Sequence, residues 1–226
     1  MKKTLAEKAA EYLLSILTPG DILGIAWGTT MQEVVKNIPE HSIKGVDVVQ
    51  IKGGVTHGIE HTYTFEIITE LAKKFEGKAY YLPVPTIVES KFICDALKSD
   101  KEIKKIMDII NACNVAIYSI GYPSKESILI NSGYFTARKL ENMKEQGAAG
   151  DICSRFFDLE GGVFDSKLDE RTISIELDRL RDKKYAIAVG GGEVLVKGIL
   201  GALKGGYMNV LITDRIAASK ILEITN

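Results

Sequence analysis

Ile22-Leu23-Gly24-Ile25-Ala26-Trp27-Gly28-Thr29-Thr30-Met31-Gln32-Glu33-Val34-Val35-Lys36-Asn37-Ile38 is the stretch on which the reading of the chain turns. Its first five residues form a short apolar run, the pattern of a strand buried on both faces. Trp27-Gly28-Thr29-Thr30 interrupts the run, and Met31, Val34, Val35 and Ile38 then return at helical spacing. Strand, glycine loop and helix in this order make the first part of a parallel crossover unit.

The same alternation extends in both directions. Upstream, Leu5, Ala9, Tyr12, Leu13, Ile16 and Leu17 predict an amphipathic helix that Pro19-Gly20 stops. Downstream, Val46 to Ile51 reads as a strand closed by Lys52-Gly53-Gly54, followed by a helix over about 60–75 and a strand over Ala79 to Leu82. A helix over Ser99 to Asn111 leads into a strand from Val115 to Ile120, ended by Gly121-Tyr122-Pro123. Residues 124–149 are mixed with one helix over Thr136 to Gln146, and Asp158 to Arg171 reads as a loop or hairpin excursion. The strand Tyr185 to Val189, the loop Gly190-Gly191-Gly192, a helix from Glu193 to Leu203, the strand Asn209 to Ile212 and a helix from Asp214 to Leu222, capped by Asp214 or Thr213, restore regularity. The expected fold is α/β, a Rossmann-like doubly wound and mainly parallel sheet forming one domain over residues 1–226.

Composition narrows the function. The 29 Lys and Arg residues nearly cancel the 30 Asp and Glu residues, so the chain lacks the broad positive field that holds a nucleic-acid backbone. Three widely spaced cysteines, Cys94, Cys113 and Cys153, form no zinc or redox pair and read as reduced thiols of a cytoplasmic protein. Glu7, Lys8 and Glu11 interrupt the first apolar stretch, which excludes a signal h-region or a membrane span there.

In a parallel sheet the ligand collects at the carboxyl ends of the strands. Three loops there carry glycine: Gly28-Thr29-Thr30, Lys52-Gly53-Gly54 and Gly190-Gly191-Gly192. Glycine admits an anion to the backbone, and the following helix start offers free amides and partial positive charge. The two threonines are equally compatible with ordinary helix capping. No dinucleotide or P-loop signature is present. His57, Glu60 and His61 stand in the order H-x-x-E-H without a further ligand, so no metal is expected. Asp151, preceded by small residues, is a candidate acceptor for sugar hydroxyls or else a turn-forming residue. Lys91 is a candidate phosphate partner or imine-forming amine, with solvent exposure as the alternative.

Taken in order, Gly24 to Thr30, Val49-Gln50-Ile51-Lys52-Gly53-Gly54, Leu82-Pro83-Val84-Pro85, Ser132-Gly133-Tyr134, Gly147 to Asp158, Ala188 to Gly192 and Gly205 to Asp214 resemble the effector-binding domain of the SorC/DeoR-type bacterial sugar-responsive transcriptional regulators. The resemblance covers essentially the whole chain. It implies a fold similar to sugar-phosphate isomerases and a pocket that binds a phosphorylated sugar and shifts a homodimer or homotetramer between DNA-binding and released states. No catalysis and no cofactor are implied, and DNA would be met only through a helix-turn-helix domain that is absent from this chain. The roles it carries over fall on Gly28, Thr29, Thr30, Gly53, Gly54 and Asp151, and Gln50, Lys52, Lys91, Gly191 and Gly192 complete the candidate ligand-binding set. One departure stands out: Leu195 occupies the place of a phosphate-binding lysine, leaving Lys52, Lys91 or Lys197 as substitutes, or else implying a ligand of lower charge. The competing expectation is a sugar-phosphate isomerase or deaminase, which needs a positioned general base.

Overall fold

The computed structural model describes residues 1–55, 63–125 and 127–225. Along the chain, helix α1 (Lys2–Ile16) precedes β1 (Ile22–Ile25), α2 (Thr29–Lys36), β2 (Asp47–Gln50), α3 (Thr64–Lys74) and β3 (Ala79–Tyr80). Helices α4 (Lys91–Ser99) and α5 (Lys101–Ala112) then lead to β4 (Val115–Gly121). The excursion that follows contains α6 (Ile128–Asn131), α7 (Ala137–Glu145), β5 (Gly150–Ile152), β6 (Arg155–Phe157), α8 (Ser166–Asp169) and α9 (Leu177–Arg181). The chain closes with β7 (Tyr185–Val189), α10 (Val196–Lys204), β8 (Val210–Ile212) and α11 (Arg215–Thr225).

Six strands lie parallel in the order β3, β2, β1, β4, β7, β8. From β1 the chain winds outward through β2 to β3, then returns to the other side of β1 with β4 and winds outward again. The reversal between β1 and β4 opens a crevice at their carboxyl ends. Strand β1 is closely enclosed: a Cβ on Gly24 would stand 2.5 Å from Ile51 Cγ2 and 2.9 Å from Cys113 Sγ. Only glycine lets β1 sit at this depth.

Two elements depart from the reading of the sequence. The first is the hairpin β5–β6, which pairs antiparallel with the last two residues of β4, Ile120 and Gly121. Its two-residue turn, Cys153-Ser154, has φ of 54° and 66°, the doubly left-handed geometry that usually selects Asn-Gly. The second is α4, whose N-cap Ser90 accepts from the Ile93 amide at 3.3 Å. Asp100 separates α4 from α5 by accepting from the Glu102 and Ile103 amides, so the expected single helix over 99–111 is the second of two. Helix α10 begins at Val196, after a 3₁₀ turn over Glu193–Leu195. Asp214 caps α11, accepting from Ile216 and Ala217.

Candidate functional site

The crevice at the β1–β4 reversal is a cleft of about 470 Å³. Its walls come from the loop after β1, Lys52 after β2, the loop after β4, the β5–β6 hairpin and Gly191 after β7. These contributions come from strand ends or the hairpin, while Lys2 of α1 and Ile128 and Leu129 of α6 complete the lining. Gly28 is buried with φ 132° and precedes α2 directly, so the free amides of the first helical turn lie at the cleft wall.

Lys52 and Asp151 form the polar interior. Lys52 is 5% exposed and its Nζ lies 3.8 Å from the centre of the Trp27 ring. Burial pushes its amine below the ordinary lysine range, opposed by the charge of Asp151. Asp151 is 6% exposed, and burial raises its carboxyl, opposed by Lys52 and by the Ser154 amide, which donates to Oδ2 at 3.0 Å. Both groups thus lean toward their neutral forms. Beside them Cys153 is pushed up to about 12 by burial, so its thiol remains protonated and is no nucleophile near neutral pH. Asp151 accepts from the amide of the hairpin turn and also lines the cleft.

Arg155 ties the two halves of this interior together. Its guanidinium is 2% exposed and donates to the carbonyls of Ile175 at 2.9 Å, Thr172 at 3.0 Å and Ser174 at 3.3 Å, and to the Asp169 carboxylate at 2.6 Å. The strap it holds pairs back onto the end of β2: Ile175 N–H donates to Ile51 O, Gly53 N–H donates to Ile173 O, and Ser174 bridges Lys52. The hairpin that carries Asp151 and the backbone that carries Lys52 therefore share one anchor.

Of the expected residues, Gly28, Thr29, Thr30, Lys52, Asp151 and Gly191 meet in the cleft. The others lie elsewhere. Gln50 spends its amide on the Lys52 carbonyl at 2.6 Å and the Leu82 amide at 3.1 Å. Gly53 accepts from Trp27 Nε1 at 2.6 Å, and a Cβ there would come within 2.7 Å of the Val84 carbonyl oxygen. Its glycine is needed for packing. Gly54 lines a separate open groove with Gln50, Phe65 and Tyr81, and Gly192 gives its amide to Asp214.

Lys91 is a correction. It opens α4, its side chain is 57% exposed, and it pairs with Asp95 one turn on at 2.5 Å. The i,i+4 carboxylate holds it on the solvent face. Lys197 is likewise exposed, which leaves Lys52 as the one of the three proposed substitutes that reaches the cleft. His57, Glu60 and His61 lie outside the described residues, and no group of potential metal ligands occurs among the described ones.

Several lining residues had no role assigned from the sequence: Lys2, Trp27, Tyr122, Ser127 and Cys153. Tyr122 and Ser127 follow β4, and the strand-end rule that selected the glycine loops applies to them equally. Lys2 gave no such signal, because it belongs to the helix before the first strand.

A family model described as "Putative sugar-binding domain" matches residues 1–223. The chain belongs to this sugar-binding domain family. Over 219 residues it is 38% identical to the deoxyribonucleoside regulator of Bacillus subtilis, covering 97% of this chain and 70% of that protein. It is 32% identical to the sorbitol operon regulator of Klebsiella pneumoniae over 210 residues, 92% of this chain and 67% of the regulator. The crystal structure of full-length SorC from Klebsiella pneumoniae superposes with a TM-score of 0.89 at 30% identity, covering 98% of this chain and 73% of that one. A transcriptional regulator from Streptococcus pneumoniae also gives 0.89, at 26% identity, over 99% of this chain and 86% of that one. The fold is that of the SorC-type sugar-binding domains, and the relatives carrying it are transcriptional regulators. This sugar-binding domain is thus of the kind that serves as the effector domain of such regulators. No helix among its described residues is long and apolar enough to cross a membrane.

Proposed function

We propose that the cleft binds a phosphorylated sugar and that the domain senses it without transforming it. The observation that carries this reading is the convergence of two unlike surfaces in one cleft. The helix start at Gly28, Thr29 and Thr30, with Gly191 opposite, supplies amide and hydroxyl donors suited to a phosphate. Lys52 and Asp151 supply a donor and an acceptor suited to sugar hydroxyls. Ligand binding would be read out through subunit contacts of a homodimer or homotetramer, and DNA would be met by a part of the regulator outside this chain. The near-zero net charge of the chain, −1 at pH 7, agrees with that division, and a cytoplasmic location follows from the role.

Calorimetric titration with a panel of pentose and hexose phosphates, each paired with its unphosphorylated sugar, tests the reading. Binding confined to phosphorylated members is expected, and uniform silence of the panel would remove the proposal.

A second reading, an isomerase- or deaminase-like enzyme, draws on the Lys52–Asp151 pair. An amine and a carboxyl both biased toward neutrality are able to exchange protons with a bound sugar or, for the amine, to attack a carbonyl carbon. The names of the relatives, all regulators among those cited above, favour sensing. Formation of product from any panel member, followed by NMR, would reverse that preference.

A further inference from the structure

Two cationic side chains line the cleft among the described residues, Lys2 and Lys52. Their settings differ. Lys52 is enclosed, faces Asp151 and is driven toward its neutral form by burial. Lys2 lies on the first turn of α1, is exposed, and its Nζ donates to Thr29 Oγ1 at 2.9 Å. Thr29 is itself the first residue of α2, so the Lys2 amine stands at the rim of the amide-bearing helix start.

A helix start alone does not define an anion site. Here the same cleft also holds the Lys52 amine, nine-tenths buried, which among the described residues touches the Trp27 ring and makes no hydrogen bond. That is a buried donor without a hydrogen bond among the described residues, held over the Trp27 ring at the wall of the cleft. The third glycine loop adds no cation: Leu195 lines the wall, and Glu193 is paired with Lys220. Among the described residues, the one cationic side chain placed against the α2 start is Lys2.

We infer that Lys2 is the phosphate-selecting residue of the cleft. When a phosphorylated sugar enters, its phosphate sits on the amides after Gly28, and the Lys2 amine transfers from Thr29 Oγ1 to a phosphate oxygen. The Thr29 hydroxyl, released from accepting, turns to donate to the same anion. The start of α1 and the start of α2 then hold one ligand group between them. This inference rests on the sugar-phosphate reading of the cleft and adds the residue that tells a phosphorylated ligand from its unphosphorylated counterpart.

The experiment uses the 226-residue chain, Lys2→Met and Lys2→Arg, with inorganic phosphate, ribose 5-phosphate and the tightest-binding member of the sugar-phosphate panel as probes. Binding is followed by calorimetry at two ionic strengths, and the ligand-free melting temperatures check folding. Expected is at least a tenfold weaker affinity for the phosphorylated probes in Lys2→Met, recovery in Lys2→Arg, and a shallower salt dependence in Lys2→Met, since one screened charge pair is gone. Equal affinity and equal salt dependence in wild type and Lys2→Met would overturn the role of Lys2 and leave the sugar-phosphate reading standing. Failure of every probe with the wild-type chain would overturn both.

Discussion

The amine of Lys52 stands 3.8 Å from the centre of the Trp27 ring, at the wall of the cleft. Trp27 is the only tryptophan of the chain. Its emission therefore reports one place, the one where ligand and Lys52 would meet. Adding a bound sugar phosphate should change the intrinsic fluorescence along a saturation curve whose midpoint matches calorimetry. Lys52→Met should shift the ligand-free emission and weaken binding by about tenfold, the loss of one buried hydrogen-bond donor. Emission indifferent to a ligand that calorimetry detects would place that ligand away from the Trp27 wall.

Asp151 gives a pH signature. Its folded carboxyl is raised by burial, so its contribution to stability is complete below the unfolded value of 3.8 and is lost as pH rises through the folded value. Asp151→Asn keeps an acceptor for the Ser154 amide and removes that loss. The variant should gain stability relative to wild type as pH rises from 3.8 toward neutrality, measured by urea unfolding at a series of pH values. The lowered Lys52 pKa acts in the opposite sense, costing stability as pH falls from 10.5 to its folded value. A difference between variant and wild type that stays flat across the acid range would mean that Asp151 is not desolvated.

Arg155→Met should destabilise the domain by about 2–4 kcal/mol, because it leaves three buried carbonyls and the half-buried Asp169 carboxylate without their partner. Since the same guanidinium anchors the strap beside Lys52, ligand affinity should fall in those molecules that still fold. Urea unfolding and calorimetry read the two effects, and a loss under about 1 kcal/mol, the size of a single ordinary hydrogen bond, would show that the strap holds itself.

The paired glycines after β2 should separate on substitution. Gly53→Ala would drive a Cβ to within 2.7 Å of the Val84 carbonyl and 2.8 Å of the Thr86 amide nitrogen, costing about 1–3 kcal/mol. Gly54→Ala meets nothing within 4 Å and should stay within about 0.5 kcal/mol of wild type. Equal losses at the two positions in thermal unfolding would contradict the packing role given to Gly53.

How far the sequence could be read depended on whether local pattern and burial agree. Strand β1 and helix α2 are read readily, because Leu23, Ile25, Met31, Val34 and Val35 all face the core. Helix α4 escapes because it buries only Cys94 while Phe92 and Ile93 are exposed. The β5–β6 hairpin escapes for another reason. Its turn is Cys153-Ser154 rather than a glycine pair, so two left-handed residues occur without the side chains that usually mark such a turn. At the site, Gly28, Thr29, Thr30 and Gly191 follow from one rule about strand ends. Lys2 reaches the cleft only through the packing of α1 beside α2, a relation invisible in spacing.

A Cβ on Gly150 would lie 3.0 Å from the Gly198 Cα. Strand β5 thus rests on helix α10 main chain to main chain, with no side chain to act as a cushion. Such a joint has little give. Any displacement of α10, which begins just past the third glycine loop, is handed directly to the residue after Gly150, and that residue is Asp151. The hairpin wall and the helix that follows the third glycine loop are in this way parts of one stiff piece.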